Sequence, residues 1–66
     1  MTIGETIKQL RLSKGLNQKE LAYLVGFDAS TIGKYERDER RIYYENLCDL
    51  LDVLGYELVI ERKKYE

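Results

Sequence analysis

The sequence contains no histidine and a single cysteine, Cys48. One cysteine rules out an internal disulfide, and without imidazole a zinc site lacks its usual ligands, so neither a metal nor a cofactor is expected. A reducing cytoplasm is the simplest setting. The same shortage argues against an enzyme: there is no histidine base, no glycine-rich phosphate loop, and no serine or cysteine with an activating partner. No apolar run approaches the ~20 residues that a membrane span needs, and no cleavable signal is expected at the start. A chain of 66 residues makes one domain, and a domain this small buries only about 60% of its unfolded surface, enough for one core. With 44% hydrophobic and 35% charged residues the balance is that of a globular domain rather than a disordered one.

The net charge of −1 disfavours a nucleic-acid partner only until it is divided along the chain. Residues 1–41 carry eight basic and six acidic side chains, for +2, and residues 42–66 carry three basic and six acidic, for −3. Nucleic-acid binding depends on a local basic face rather than on the sum, so the asymmetry permits it.

Helix signals recur along the first four-fifths of the chain. Thr2 and Glu5 have the spacing of a capping box, Ile3, Ile7 and Leu10 share one face, and Gly15 follows as a stop, which predicts a helix over about 3–14. Lys8, Arg11 and Lys14 lie on its other side. Asn17 and Glu20 repeat the box, Leu16 and Leu21 are placed to staple the entry, and Gly26 ends a short helix over about 18–25. Asp28 is placed to cap a third helix over about 29–36, with Phe27 stapled to Ile32 and with Ile32 and Tyr35 turned inward. A charged connection, Arg37 to Ile42, leads to a fourth helix over about 44–54 carrying Tyr44, Leu47, Leu50, Leu51 and Leu54. From Tyr56 to Arg62 the period becomes two, which predicts a strand over about 56–62 with Tyr56, Leu58 and Ile60 on one side. A lone strand leaves its backbone groups unpaired, so its expected partner is the same strand of a second copy.

Two short stapled helices separated by one glycine turn are the strongest local signal. A helix-turn-helix needs a small residue where its helices nearly touch, a residue tolerant of positive φ in the turn, and an apolar anchor on the second helix. Ala22, Gly26 and Ile32 meet these needs in register, with Leu21, Val25 and Tyr35 supplying the remaining apolar contacts.

Ile3 through Gly55, about four-fifths of the chain, resembles the Xre/Cro-type helix-turn-helix family, which includes lambdoid phage repressors. The residues that carry the resemblance are Gly15-Leu16-Asn17-Gln18-Lys19-Glu20-Leu21-Ala22, Gly26-Phe27-Asp28, Thr31-Ile32-Gly33-Lys34-Tyr35-Glu36, and Tyr44-Glu45-Asn46-Leu47 with Leu54-Gly55. The resemblance implies an all-α, four- to five-helix bundle whose third helix enters the major groove of double-stranded DNA. It places Gln18 on a phosphate and Ala29, Ser30, Gly33 and Lys34 against base edges. Lys34 suits guanine O6/N7, Ser30 suits a base or a phosphate, and Asp28 suits a cytosine amino group. Thr31, Arg37, Arg40 and Arg41 are the further phosphate contacts, and Arg11 and Glu36 form a structural ion pair. Ala29 and Gly33 stand where the family often has Gln or Arg, so direct base contact is expected to be sparse.

The expected function is sequence-specific DNA binding by a transcriptional regulator, a repressor that holds a pseudo-palindromic operator as a homodimer through the 56–62 strand. Two half-sites about 34 Å apart would compensate for a sparse reading surface. Two alternatives stay open at this point: an antitoxin-type protein that also binds a toxin, and a protein-interaction module that has lost DNA binding.

Overall fold

Every helix start in this chain is decided by what happens to its unpaired backbone N–H groups, and the four starts are handled differently. The computed structural model describes residues 1–64 and contains four helices: α1 (Ile3–Ser13), α2 (Gln18–Val25), α3 (Ala29–Glu36) and α4 (Tyr44–Leu54). At α2 the capping box is complete: Asn17 Oδ1 accepts from the Glu20 N–H at 2.7 Å, and Glu20 Oε1 accepts from the Asn17 N–H at 2.9 Å. At α1 only half of a box forms, with Thr2 Oγ1 accepting from the Glu5 N–H at 3.1 Å. The carboxylate that completes this end comes from far along the chain. Asp38 Oδ2 accepts from the Thr2 hydroxyl at 2.7 Å, and Asp38 Oδ1 accepts from the Gly4 N–H at 3.3 Å. Asp28 and Tyr43 precede α3 and α4 in extended conformation, and neither gives a side-chain cap. The carboxylate of Asp28 therefore does not cap as its position predicts.

Asp38 reaches α1 by adopting φ 57°, the one non-glycine positive φ among the described residues. Aspartate tolerates this conformation better than most residues. Asp38→Ala removes the distal cap and keeps the backbone penalty, and should lower stability by about 1–2 kcal/mol. Asp38→Gly relieves the backbone, so it should cost less than Asp38→Ala. Thermal melts of both variants against wild type check this, and an Asp38→Ala melting point equal to that of wild type would mean the cap contributes nothing.

The apolar faces of all four helices meet in one core of Ile7, Leu21, Ala22, Ile32, Tyr35, Leu50 and Leu54. Ile7, Leu21, Ile32 and Leu50 have no solvent exposure, and each side chain of this size contributes about 1.5–3 kcal/mol by leaving water. Leu16 and Phe27, the residues before the two short helices, pack on the edge of this core, and Phe27 meets Tyr35 edge to face at 6.4 Å between ring centroids. Asn46 of α4 donates to the Tyr35 hydroxyl at 3.2 Å, so the buried phenol stays hydrogen-bonded.

Gly4 is buried where α1 crosses the end of α3. A Cβ on it would collide with the Tyr35 carbonyl oxygen and would lie 2.7 Å from Asp38 Oδ1. The absence of a side chain here sets how closely α1 approaches the α3 C-terminus.

Residues 56–64 leave α4 without entering any strand. The strand expected over 56–62 is thus corrected. An extended segment has no ladder without a neighbouring edge, and the helical body offers none. The three residues placed together on its inner side also separate. Leu58 lines the groove between α1 and α4 with Ile3, Ile7, Leu47 and Leu51, Tyr56 lies beside Cys48 and Asp52, and Ile60 is 85% exposed. Among the described residues no helix is long and apolar enough to cross a membrane.

Candidate nucleic-acid interface

The geometry of the α2–α3 unit starts at Gly26. Its φ of 81° turns the chain sharply after α2, and both its N–H and that of Phe27 bond to the Ala22 carbonyl, at 2.9 and 2.8 Å. A side chain would strain this left-handed turn. Ala22, 3% exposed, allows the close approach of the two helices, and Ile32 locks α3 against α2 and the rest of the core. One face of α3 is thereby fixed inward and the other outward.

On the outward face Ser30 and Lys34 are exposed, as is Asp28 just before the helix. Because Asp28 makes no cap bond, its carboxylate is free to accept from an external donor. Thr31 is half-buried, and Ala29 is half-buried with its methyl packed on the core edge. Arg37, Arg40 and Arg41 are all exposed beyond the helix end. Gly33 departs from its expected exposed position: it is buried, covered by two polar side chains. A Cβ built at Gly33 would lie 3.0 Å from Arg37 Nη1 and 3.4 Å from Gln18 Oε1. Arg37 and Gln18 lie against the helix backbone at this point.

Gln18 is tied into the domain by a buried charge network. Arg11 Nε and Nη2 donate to Glu36 Oε2 and Oε1 at 2.7 and 2.9 Å, a two-point pairing in which each residue is 6% exposed. Arg11 Nη1 also donates to the Leu16 carbonyl at 2.8 Å, and Gln18 Nε2 donates to Glu36 Oε1 at 3.1 Å. The hydrogen bonds that Arg11 donates to Glu36 raise its pKa further, against the opposing effect of burial. No buried side-chain nitrogen or oxygen among the described residues lacks a partner. The network joins α1, the start of α2 and the end of α3 at one point. Gln18 is therefore held beside α3, with one of its two amide hydrogens committed to Glu36.

Glu39 has a role that spacing did not indicate. Arg37 Nε and Nη2 donate to Glu39 Oε2 and Oε1 at 2.9 and 3.1 Å, and both side chains remain more than half exposed. The hydrogen bonds from Arg37 hold the Glu39 carboxyl below the usual carboxylate range. In the sequence both residues belong to an undifferentiated charged run. Only the fold of the loop, set by the positive φ of Asp38, brings Glu39 back to Arg37.

The helix-turn-helix family model matches residues 7–60 of this chain. Among solved structures, the restriction-modification controller protein C.AhdI from Aeromonas hydrophila is similar, with 38% identity and a TM-score of 0.80 over 83% of this chain and 80% of that one. The wild-type restriction-modification controller protein C.Esp1396I is similar at 31% identity and a TM-score of 0.78, over 83% of this chain and 71% of that one. A point mutant of the same controller gives the same values. No curated protein sequence matches the chain. With a turn glycine in left-handed conformation, two short helices locked by Ala22 and Ile32, and a family match over most of its length, the chain belongs to the Xre/Cro-like helix-turn-helix family.

Proposed function

We propose that this DNA-binding transcriptional regulator recognises a specific double-stranded sequence through α3 and acts as a repressor by occupying its operator. The observation that carries the reading is the outward face of α3. Ser30 and Lys34 project from a helix whose inner face is fixed by Ile32 and Tyr35, with Gln18 held next to it. Lys34 donates to guanine O6/N7, Ser30 to a base or phosphate, Thr31 and Gln18 to phosphates, and Asp28 accepts from a cytosine amino group. Arg40 and Arg41 track the phosphate strand beyond the helix. No reaction is assigned to the chain, and its proposed place is the cytoplasm.

A homodimer on a pseudo-palindromic site belongs to the same proposal. The apolar surface left open includes Ile3, Tyr43, Tyr44, Val59 and Ile60, between 54% and 85% exposed. A second copy would cover such surface at the α1–α4 side, away from the outward face of α3. Likeness to controller proteins of restriction-modification systems favours a controller role of that kind as the regulatory setting.

Selection from a random DNA library, followed by titration of the enriched site, tests the proposal. Wild-type protein should enrich a two-fold related sequence, with an affinity that falls with salt at about −0.9 per phosphate neutralised. Lys34→Ala should weaken binding by about tenfold or more and relax one position. Gln18→Ala should weaken all sequences alike. Unchanged affinity in both variants would refute the docking, and an unenriched pool would indicate a protein-interaction module.

A further inference from the structure

The sparse reading surface left by Ala29 and Gly33 is filled from the next turn of the chain. Residues 33 and 37 share one helix face, and Arg37 continues the helix by donating its N–H to the Gly33 carbonyl at 3.1 Å. Its side chain runs back toward the helix N-terminus, as helical side chains do. That brings Nη1 to 3.0 Å and Cζ to 3.8 Å from the place a Gly33 Cβ would take. The guanidinium thus lies over the middle of α3, beside Gln18, rather than out in the loop. Glu39 holds it there through Nε and Nη2. The pairing uses no hydrogen of Nη1 and only one of the two on Nη2, so that edge of the guanidinium keeps its donors.

We infer that Arg37 is a specificity-determining residue that reads a guanine in the major groove from above Gly33, with Glu39 as its positioning residue. The inference rests on the DNA-binding reading and alters the role given to Arg37, from phosphate contact to base contact. Two physical points carry it. An arginine edge with two parallel N–H groups matches guanine O6 and N7. In addition, a carboxylate locked to the same guanidinium offsets its charge. That weakens a phosphate clamp but does not weaken hydrogen-bond donation to an uncharged base, whose geometry the fork instead fixes. Glycine at position 33 lets the guanidinium lie at this closeness, since a methyl group there would push it outward by a few tenths of an ångström.

The experiment is library selection and competitive titration with wild type, Arg37→Ala, Arg37→Lys and Glu39→Gln, each checked for an unchanged melting profile. Wild type should prefer guanine at one position per half-site by about tenfold to a hundredfold. Arg37→Ala and Arg37→Lys should both reduce that preference to within about twofold, at that position only, with the salt slope unchanged. Glu39→Gln should reduce it in part while leaving the other positions alone. If Arg37→Ala weakens every sequence equally and the salt slope falls by about one, Arg37 is a phosphate contact and the inference is overturned. Retention of the guanine preference in Arg37→Lys overturns it as well, since the ammonium lacks the fork. If wild type itself enriches no sequence, the DNA-binding reading fails first, a result distinguishable from either of these.

Discussion

Glu36→Ala should destabilise the domain by about 3–5 kcal/mol and lower Tm by roughly 12–40 °C. The total stability of a domain this size is roughly 3–10 kcal/mol, so the variant should be largely unfolded near its former working range. The size of the effect comes from what is left behind. Arg11 is 6% exposed and directs two of its nitrogens at Glu36. With the carboxylate gone, a guanidinium stays desolvated without a counter-charge, and Gln18 loses its acceptor too. Replacing both charges, as Arg11→Met with Glu36→Leu, should recover most of the loss, because the large cost lies in a buried charge without its partner. Calorimetry on Glu36→Ala and on the double variant separates these terms. A Glu36→Ala melt within about 4 °C of wild type would show that water reaches the site.

Gly4→Ala should cost about 2–3 kcal/mol, an unusual result for a change that normally favours a helix by about 1 kcal/mol. Overpacking costs are typically about 1–3 kcal/mol when side chains can adjust. Here the colliding atom is the backbone carbonyl oxygen of Tyr35, on the helix proposed to face DNA. The new methyl also lies 2.7 Å from the Asp38 oxygen that caps α1, so the cap must move with it. Denaturant unfolding measures the loss. If Gly4→Ala were as stable as wild type, the α1–α3 contact would have to be soft enough to open by more than an ångström.

Much of the fold was legible because it is written in short-range spacing. Asn17 and Glu20, three residues apart, announce a helix start that the structure builds as a full capping box. Gly26 marks the turn, and the apolar period of Leu21, Ala22, Ile32 and Tyr35 marks which faces meet. Long-range pairings left no such trace. The partners Thr2 and Asp38 are 36 residues apart, and nothing in the run Arg37-Asp38-Glu39 distinguishes a capping aspartate from a solvated one. Alternation alone misled at the tail. Tyr56, Leu58 and Ile60 have a strand period, but period two specifies a strand only where another edge can receive it. Gly33 misled for a different reason: helical position indicates direction, not which neighbour will fold over it.

The point where Arg11, Gln18 and Glu36 meet also bears on kinetics. It secures the start of α2 and the end of α3 to α1 through charged, fully paired contacts, so the relative pose of the two helices exists before DNA arrives. In the proposed docking, the ordering entropy of association then falls mainly on exposed side chains such as Lys34, Arg40 and Arg41. Encounter, steered by those charges, should limit the on-rate, and discrimination between sites should reside in residence time.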